Sequence, residues 1–148
     1  MIEPVTPDNL IQAASVHAAS WRESHRTICT EEFIALHTTE RQAGYLQKLM
    51  DGGASVYMLS DGGRPVGIVS LQEDVIGDLY VLPDEQGKGY GTHLLRFAME
   101  RCAGVPALWV LDCNRRAMAL YQRVGFRATG ERHVLTDTLS EVEMRYEG

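Results

Sequence analysis

Between Ile76 and Leu95 the chain compresses a strand, a glycine turn and a helix start into twenty residues, and this stretch constrains the fold more than any other. Ile76, Leu79, Val81 and Leu82 form an apolar run of strand character, and Pro83 removes a backbone donor and ends it. Gly87, Gly89 and Gly91 then alternate. After them Leu94, Leu95, Ala98, Met99 and Cys102 recur at three- and four-residue steps, the inward stripe of an amphipathic helix. The first amides of a helix have no intrahelical acceptor and lie at the positive end of its dipole, so the spacing predicts an anion site. Glycines let a phosphate approach the backbone, and successive amides can curl into a nest around its oxygens. Lys88 and the Gln86 side chain are expected as further donors at the rim. The stretch reads as a diphosphate cradle.

Two common phosphate motifs are excluded by spacing. A P-loop closes on Gly-Lys-Ser or Gly-Lys-Thr, whereas Lys88 is followed by Gly89. A dinucleotide fingerprint needs a further glycine at Thr92 or Leu94, depending on which pair is counted first. The segment Gln86-Gly87-Lys88-Gly89-Tyr90-Gly91 resembles instead the acyl-CoA signature of the GNAT superfamily of N-acyltransferases: Gln or Arg, two residues, Gly, one residue, Gly or Ala. That resemblance implies acetyl-CoA as cofactor, with its diphosphate held by Gln86 to Thr92.

The rest of the chain is consistent with one domain over residues 1–148, a length that allows a substantial core and not two comfortable ones. With 45% hydrophobic and 23% charged residues it has the balance of a globular protein. The N-terminus shows no basic region followed by a long apolar core, and no apolar run approaches a bilayer span, so a cytoplasmic location without membrane association is expected. Cys29, Cys102 and Cys113 are unpaired in spacing, which indicates neither a disulfide framework nor a metal site. A net charge of -6 argues against nucleic-acid binding and suits a cationic partner.

In order, Met1 to Val5 reads as an edge strand. Thr6 is expected to cap a first helix that runs out near Trp21, Thr30 a short helix, and Thr38 or Thr39 a further one ending at Asp51-Gly52-Gly53. Val56 to Ser60 and Val66 to Leu71 form a hairpin about Gly62-Gly63, leading into the strand before the cradle. Ala107 to Leu111 follows a crossover helix and so lies parallel to that strand. Ala117, Leu120, Tyr121 and Val124 make a helical stripe ended by Gly125, with Asn114 at its start. Two last strands occupy Arg127 to Val134 and Glu141 to Tyr146. The run from Asn114 through Tyr121 to Gly125-Phe126 resembles the superfamily's second characteristic region, in the order expected after the cradle.

The resemblance implies an α/β (α+β) fold: a mixed central sheet of about six to seven strands flanked by about four helices, with two parallel central strands splayed around the cofactor. It places the pantetheine arm along Leu79, Tyr80 and Val81, and has Asn114, Ala117 and Tyr121 contact the cofactor. Tyr121 is implied as the general acid that returns a proton to the thiolate. The family often carries a Glu base on the central strand. None lies between Val75 and Leu82, so Asp78 is the nearest candidate, with His25, Glu23 and His133 behind it. Trp21 and His25 are expected to wall the acceptor site. The function implied is N-acetyl transfer to an amine of a small molecule or peptide, with a homodimer as one assembly seen in the family. A non-catalytic acyl-CoA-binding or sensing domain is the alternative.

Overall fold

Two apolar clusters, one on each side of a single sheet, organise the structure, a computed structural model that describes residues 1–148. The strands are β1 (Ile2–Pro4), β2 (Ser55–Asp61), β3 (Arg64–Gln72), β4 (Val75–Val81), β5 (Ala107–Leu111), β6 (Phe126–Val134) and β7 (Ser140–Tyr146). They lie in the order β1-β2-β3-β4-β5-β7-β6, antiparallel throughout except for the β4–β5 pair. The helices are α1 (Leu10–Ser24), α2 (Glu31–Ala35), α3 (Thr39–Asp51), α4 (Tyr90–Glu100) and α5 (Arg115–Val124), so the mixed sheet has the strands expected and five helices in place of about four. No helix is long and apolar enough to cross a membrane.

Local chemistry accounts for most helix starts. Thr30 Oγ1 accepts from Phe33 N at 3.2 Å and Thr38 Oγ1 from Arg41 N at 3.2 Å, each satisfying an amide that the helix itself cannot. The start of α1 differs from expectation. Thr6 N donates to Asn9 Oδ1 at 2.8 Å and Asp8 N to Thr6 Oγ1 at 3.3 Å, which closes a turn of its own. Short polar side chains compete with helix in this way. The helix therefore begins at Leu10 and continues past Trp21 to Ser24.

Helices α1 and α3 pack Ala13, Ala14, Val16 and Leu46 on Val56, Met58 and Ile68 of one face. On the other face Leu94, Leu95 and Ala98 of α4, with Tyr121 of α5, pack on Val66, Val69, Leu71 and Leu108. Between these layers β4 carries a bulge. Its register runs from Ile76 opposite Leu71 to Leu79 opposite Val69, so Gly77 and Asp78 together face Ser70. Asp78 N donates to Ser70 Oγ at 2.7 Å, and a Cβ on Gly77 would stand 2.5 Å from that oxygen. Any larger residue at 77 displaces the serine. A bulge bends its strand, and here β4 pairs with β5 only at Val75↔Ala107 and Ile76↔Leu108, while β5 stays paired with β7 through Leu111. The two parallel strands part immediately after the bulge, which gives the expected splay its physical cause.

Candidate active site

The glycine turn leaves a row of free amides. Gly87 and Gly89 have φ of 81° and 90°, a left-handed backbone that side chains disfavour, and Gly89 is the N-cap of α4 without any side-chain cap. The N–H groups of residues 87–92 donate to no atom of the chain; the first to find a partner is His93, on Gly89 O at 3.0 Å. Gly87, Gly89, Tyr90, Gly91 and Thr92 line a cleft of about 590 Å³. The third glycine has another reason: a Cβ on Gly91 would meet Leu120 Cδ2 at 3.4 Å, where α4 and α5 approach.

The side chains expected at the rim are committed elsewhere. Gln86 Nε2 donates to Val81 O at 3.1 Å. Lys88 Nζ donates to Glu85 Oε2 at 3.0 Å, and Arg64 Nη2 to Glu85 Oε1 at 2.5 Å. Glu85 is buried, and hydrogen bonds from Arg64 and then Lys88 hold its carboxyl below the usual range. A buried carboxylate draws in the nearest cations, so Lys88 turns to Glu85 and lies outside the cleft wall. With these side chains so placed, the donors left free at the turn are the backbone amides of residues 87–92, and Gln86 lines the cleft beside them.

From the cradle the cleft follows Leu79, Tyr80 and Val81 to Asn114, Ala117 and Tyr121 on α5. Past Ile76 the edge of β4 that faces β5 has no strand partner. Asn114 Oδ1 accepts from Ala117 N at 3.1 Å and caps α5. A second cleft, of about 730 Å³, opens on the other side of the splay, lined by His25, Tyr45, Asp78, Trp109 and Glu141 among others. The two clefts share Ser24, Leu79, Tyr80, Asn114, Arg116, Ala117 and Tyr121. They meet where β4 leaves β5. Tyr121 is buried at that junction, and burial pushes its phenol up to about 12, so it is protonated at neutral pH.

Asp78 stands on the wall of the second cleft in a network of side chains. Its Oδ1 lies 3.0 Å from His17 Nε2, and its Oδ2 accepts from Tyr45 Oη at 2.9 Å and Ser70 Oγ at 3.2 Å. Gln42 Nε2 lies 2.8 Å from His17 Nδ1, which fits a histidine protonated on Nε2. Burial alone would raise the Asp78 carboxyl, but the bonds from His17, Tyr45 and Ser70 outweigh it and hold the group below its usual range. The Tyr45 phenol is pushed up by burial and by that charge, and Tyr80 likewise. Asp78 is thus a fixed negative charge of low basicity.

A family model described as the acetyltransferase (GNAT) family matches residues 15–126. The chain belongs to the GNAT acetyltransferases. This GNAT chain is 26% identical over 140 residues to a probable N-acetyltransferase of Mycobacterium tuberculosis, covering 87% of its own length and 80% of the relative's. It is 30% identical over 76 residues to the peptidyl-lysine N-acetyltransferase YjaB of Salmonella typhimurium, 51% of this chain and 52% of that protein. Its fold recurs in the PaiA N-acetyltransferase of Thermoplasma acidophilum, solved in complex with coenzyme A. The TM-score is 0.76 at 19% identity, over 100% of this chain and 98% of the other.

Within this GNAT fold the acceptor residues expected from sequence separate. His25 lines the second cleft, its imidazole lowered by burial. Trp21 lines neither cleft: it is stacked between His25 at 3.9 Å and His37 at 3.5 Å, and so supports the imidazole in place of forming the wall. Glu23 borders the first cleft, and His133 stacks on Trp109 and sits 3.2 Å from Glu141. Sequence reasoning missed His17, Tyr45, Ser70 and Glu85. The available signal was faint: His17 as a titratable residue on the apolar stripe of α1, and Gln42 and Tyr45 three residues apart on α3.

Proposed function

We propose that this GNAT chain transfers an acetyl group from acetyl-CoA to a primary amine of a small molecule or a peptide, in a ternary complex in the cytoplasm. The observation that carries the reading is the meeting of two clefts at Leu79, Tyr80 and Tyr121, one leading to the amide cradle and the other to a carboxylate wall. A domain that only bound an acyl-CoA would have no use for the second cleft. Similarity over half the chain to a protein named a peptidyl-lysine N-acetyltransferase supports peptides among the acceptors.

The residues present fit the cofactor. The unpartnered amides of residues 87–92 suit a diphosphate, the unpaired edge of β4 suits an extended arm of amides, and Asn114 and Ala117 face it from α5. When bound, the cofactor supplies an activated acyl carbonyl and a thiolate leaving group. The chain then has three tasks. Backbone N–H groups on β4 near Tyr80 and Val81 polarise the carbonyl oxygen. Asp78, ionised and fixed, draws the acceptor ammonium into the second cleft. The amine reaches its neutral, nucleophilic form by losing a proton to water or to His25, which lines the same cleft with a lowered pKa. With the cofactor bound, nitrogen would bond to the acyl carbon as the carbon–sulfur bond breaks, Tyr121 Oη would give its proton to the departing sulfur, and the second proton shed by nitrogen would restore the phenol through water.

Calorimetry of acetyl-CoA with the wild type and with Gly89→Asp tests the cradle. Wild-type binding that falls at least about a hundredfold in the variant supports it, since charge and bulk enter a left-handed N-cap. Tyr121→Phe then tests the acid: amine-dependent thiol release should fall by about 10²-fold or more, with acetyl-CoA affinity close to wild type. A wild type that ignores acetyl-CoA, CoA and longer acyl-CoAs alike sinks the reading.

A further inference from the structure

The C-terminal half of α1 carries a polar face, and one group on it has no partner. His17, Ser20 and Ser24 lie three and four residues apart, so they share a face of the helix. His17 is committed to Asp78 and Gln42. Ser24 Oγ donates to Trp21 O at 3.0 Å. Ser20 is 3% exposed, and its Oγ is the one buried side-chain nitrogen or oxygen of the protein without a hydrogen-bond partner. Buried hydroxyls are nearly always bonded, and a helical serine can usually turn back to the carbonyl one turn earlier. Ser20 does not, yet the residue lines the first cleft together with Tyr80 and Val81, the part of β4 whose outer edge has no strand beside it.

We propose that the Ser20 hydroxyl is a binding group for the acyl-pantetheine arm of the cofactor, turning between staggered rotamers to meet one of its amide or thioester carbonyls. This rests on the acyl-CoA reading above. A hydroxyl both donates and accepts, so it serves an arm whose polar groups are amides and a thioester. Neither the glycine signature nor the Asn114–Tyr121 region includes this position. It lies on α1 four residues before Ser24, which lines the same cleft.

The test is Ser20→Ala, read by calorimetry with CoA, acetyl-CoA and adenosine 3′,5′-bisphosphate, which lacks the arm, and by thermal melting of the ligand-free protein. Removing an unpartnered buried hydroxyl should leave the ligand-free melting temperature unchanged or higher. Affinity for the arm-bearing ligands should fall by about three- to tenfold, the loss of one neutral hydrogen bond, while the bisphosphate binds as before. A loss for both CoA and acetyl-CoA assigns the partner to the amides, and a loss for acetyl-CoA alone assigns it to the thioester carbonyl. Unchanged affinity for all the ligands overturns the proposal, as does an equal loss for the bisphosphate or a fall in ligand-free melting temperature. A wild type that binds adenosine 3′,5′-bisphosphate no worse than CoA also overturns it. If the wild type binds none of them, the acyl-CoA reading itself fails.

Discussion

Asp78→Asn separates the structural and chemical parts played by the carboxylate at the bulge. In the wild type it accepts from His17, Tyr45 and Ser70. Bonds to a charged acceptor contribute about 1.5–3 kcal/mol against about 0.5–1.5 for neutral ones, so neutralising the shared acceptor costs about 1 kcal/mol per donor. The new amide also presents hydrogens where hydroxyls now donate, whereas relief of burying a charge works in the opposite direction. The net expectation is a loss of about 2–4 kcal/mol at pH 7, or a fall in melting temperature of roughly 5–15 °C for a chain of this length. Its pH dependence has a definite sign. The folded carboxyl titrates below its ordinary value of about 4, so its stabilisation is present above that value and is lost as pH falls through the lower folded one. Urea unfolding of both proteins at pH 7, 5 and 3.5 should therefore show a full gap at the first two and a shrinking gap at the last. A gap under about 0.5 kcal/mol at pH 7, or one of the same size at pH 3.5, refutes the argument. The same variant separates the chemical roles. A rise in KM for the amine with kcat nearly kept fits an attracting charge; loss of kcat and of the acidic limb of the rate profile would make Asp78 the base.

Two further outcomes follow from the same geometry. Gly77→Ala forces a Cβ to 2.5 Å from Ser70 Oγ and should cost about 1–3 kcal/mol, less when Ser70→Ala has already cleared the space; equal costs in both backgrounds would rule out the clash. The Tyr121 phenol is pushed up to about 12 by burial, so its contribution is complete below the ordinary value near 10 and is lost as pH rises through about 12. The difference in urea midpoint between wild type and Tyr121→Phe should therefore shift against the wild type between pH 8 and pH 11.5, by about 1–2 kcal/mol in unfolding free energy; a constant difference argues against a buried neutral phenol.

The cradle was legible in the sequence because its parts are contiguous. A glycine at a left-handed position, a helix start two residues later and an apolar strand before it are all local properties, and Gly87, Gly89 and the N-terminus of α4 stand as the spacing predicts. The parallel crossover to β5 was legible for a related reason, since a helix-length connection leaves a strand no other common direction. The first error was also local: the Thr6–Asn9 turn took the side-chain oxygens that would have capped α1 early. At its other end α1 runs on past Trp21 to Ser24, which lines both clefts.

Other features lay beyond sequence because their causes are distant in the chain. Whether Lys88 reaches a phosphate or Glu85 depends on Glu85 being buried beside Arg64, 21 residues earlier. Whether Asp78 is a base or a fixed charge depends on His17, 61 residues away, and Tyr45, 33 away. Sequence by itself determined the glycine turn at the start of α4, the order of the elements and the family they belong to, since backbone conformation and periodicity are set by near neighbours. Tertiary structure alone decided which polar side chains stay free for a ligand. That choice follows from desolvation, which makes each buried donor and acceptor find a partner from whichever element folding places against it.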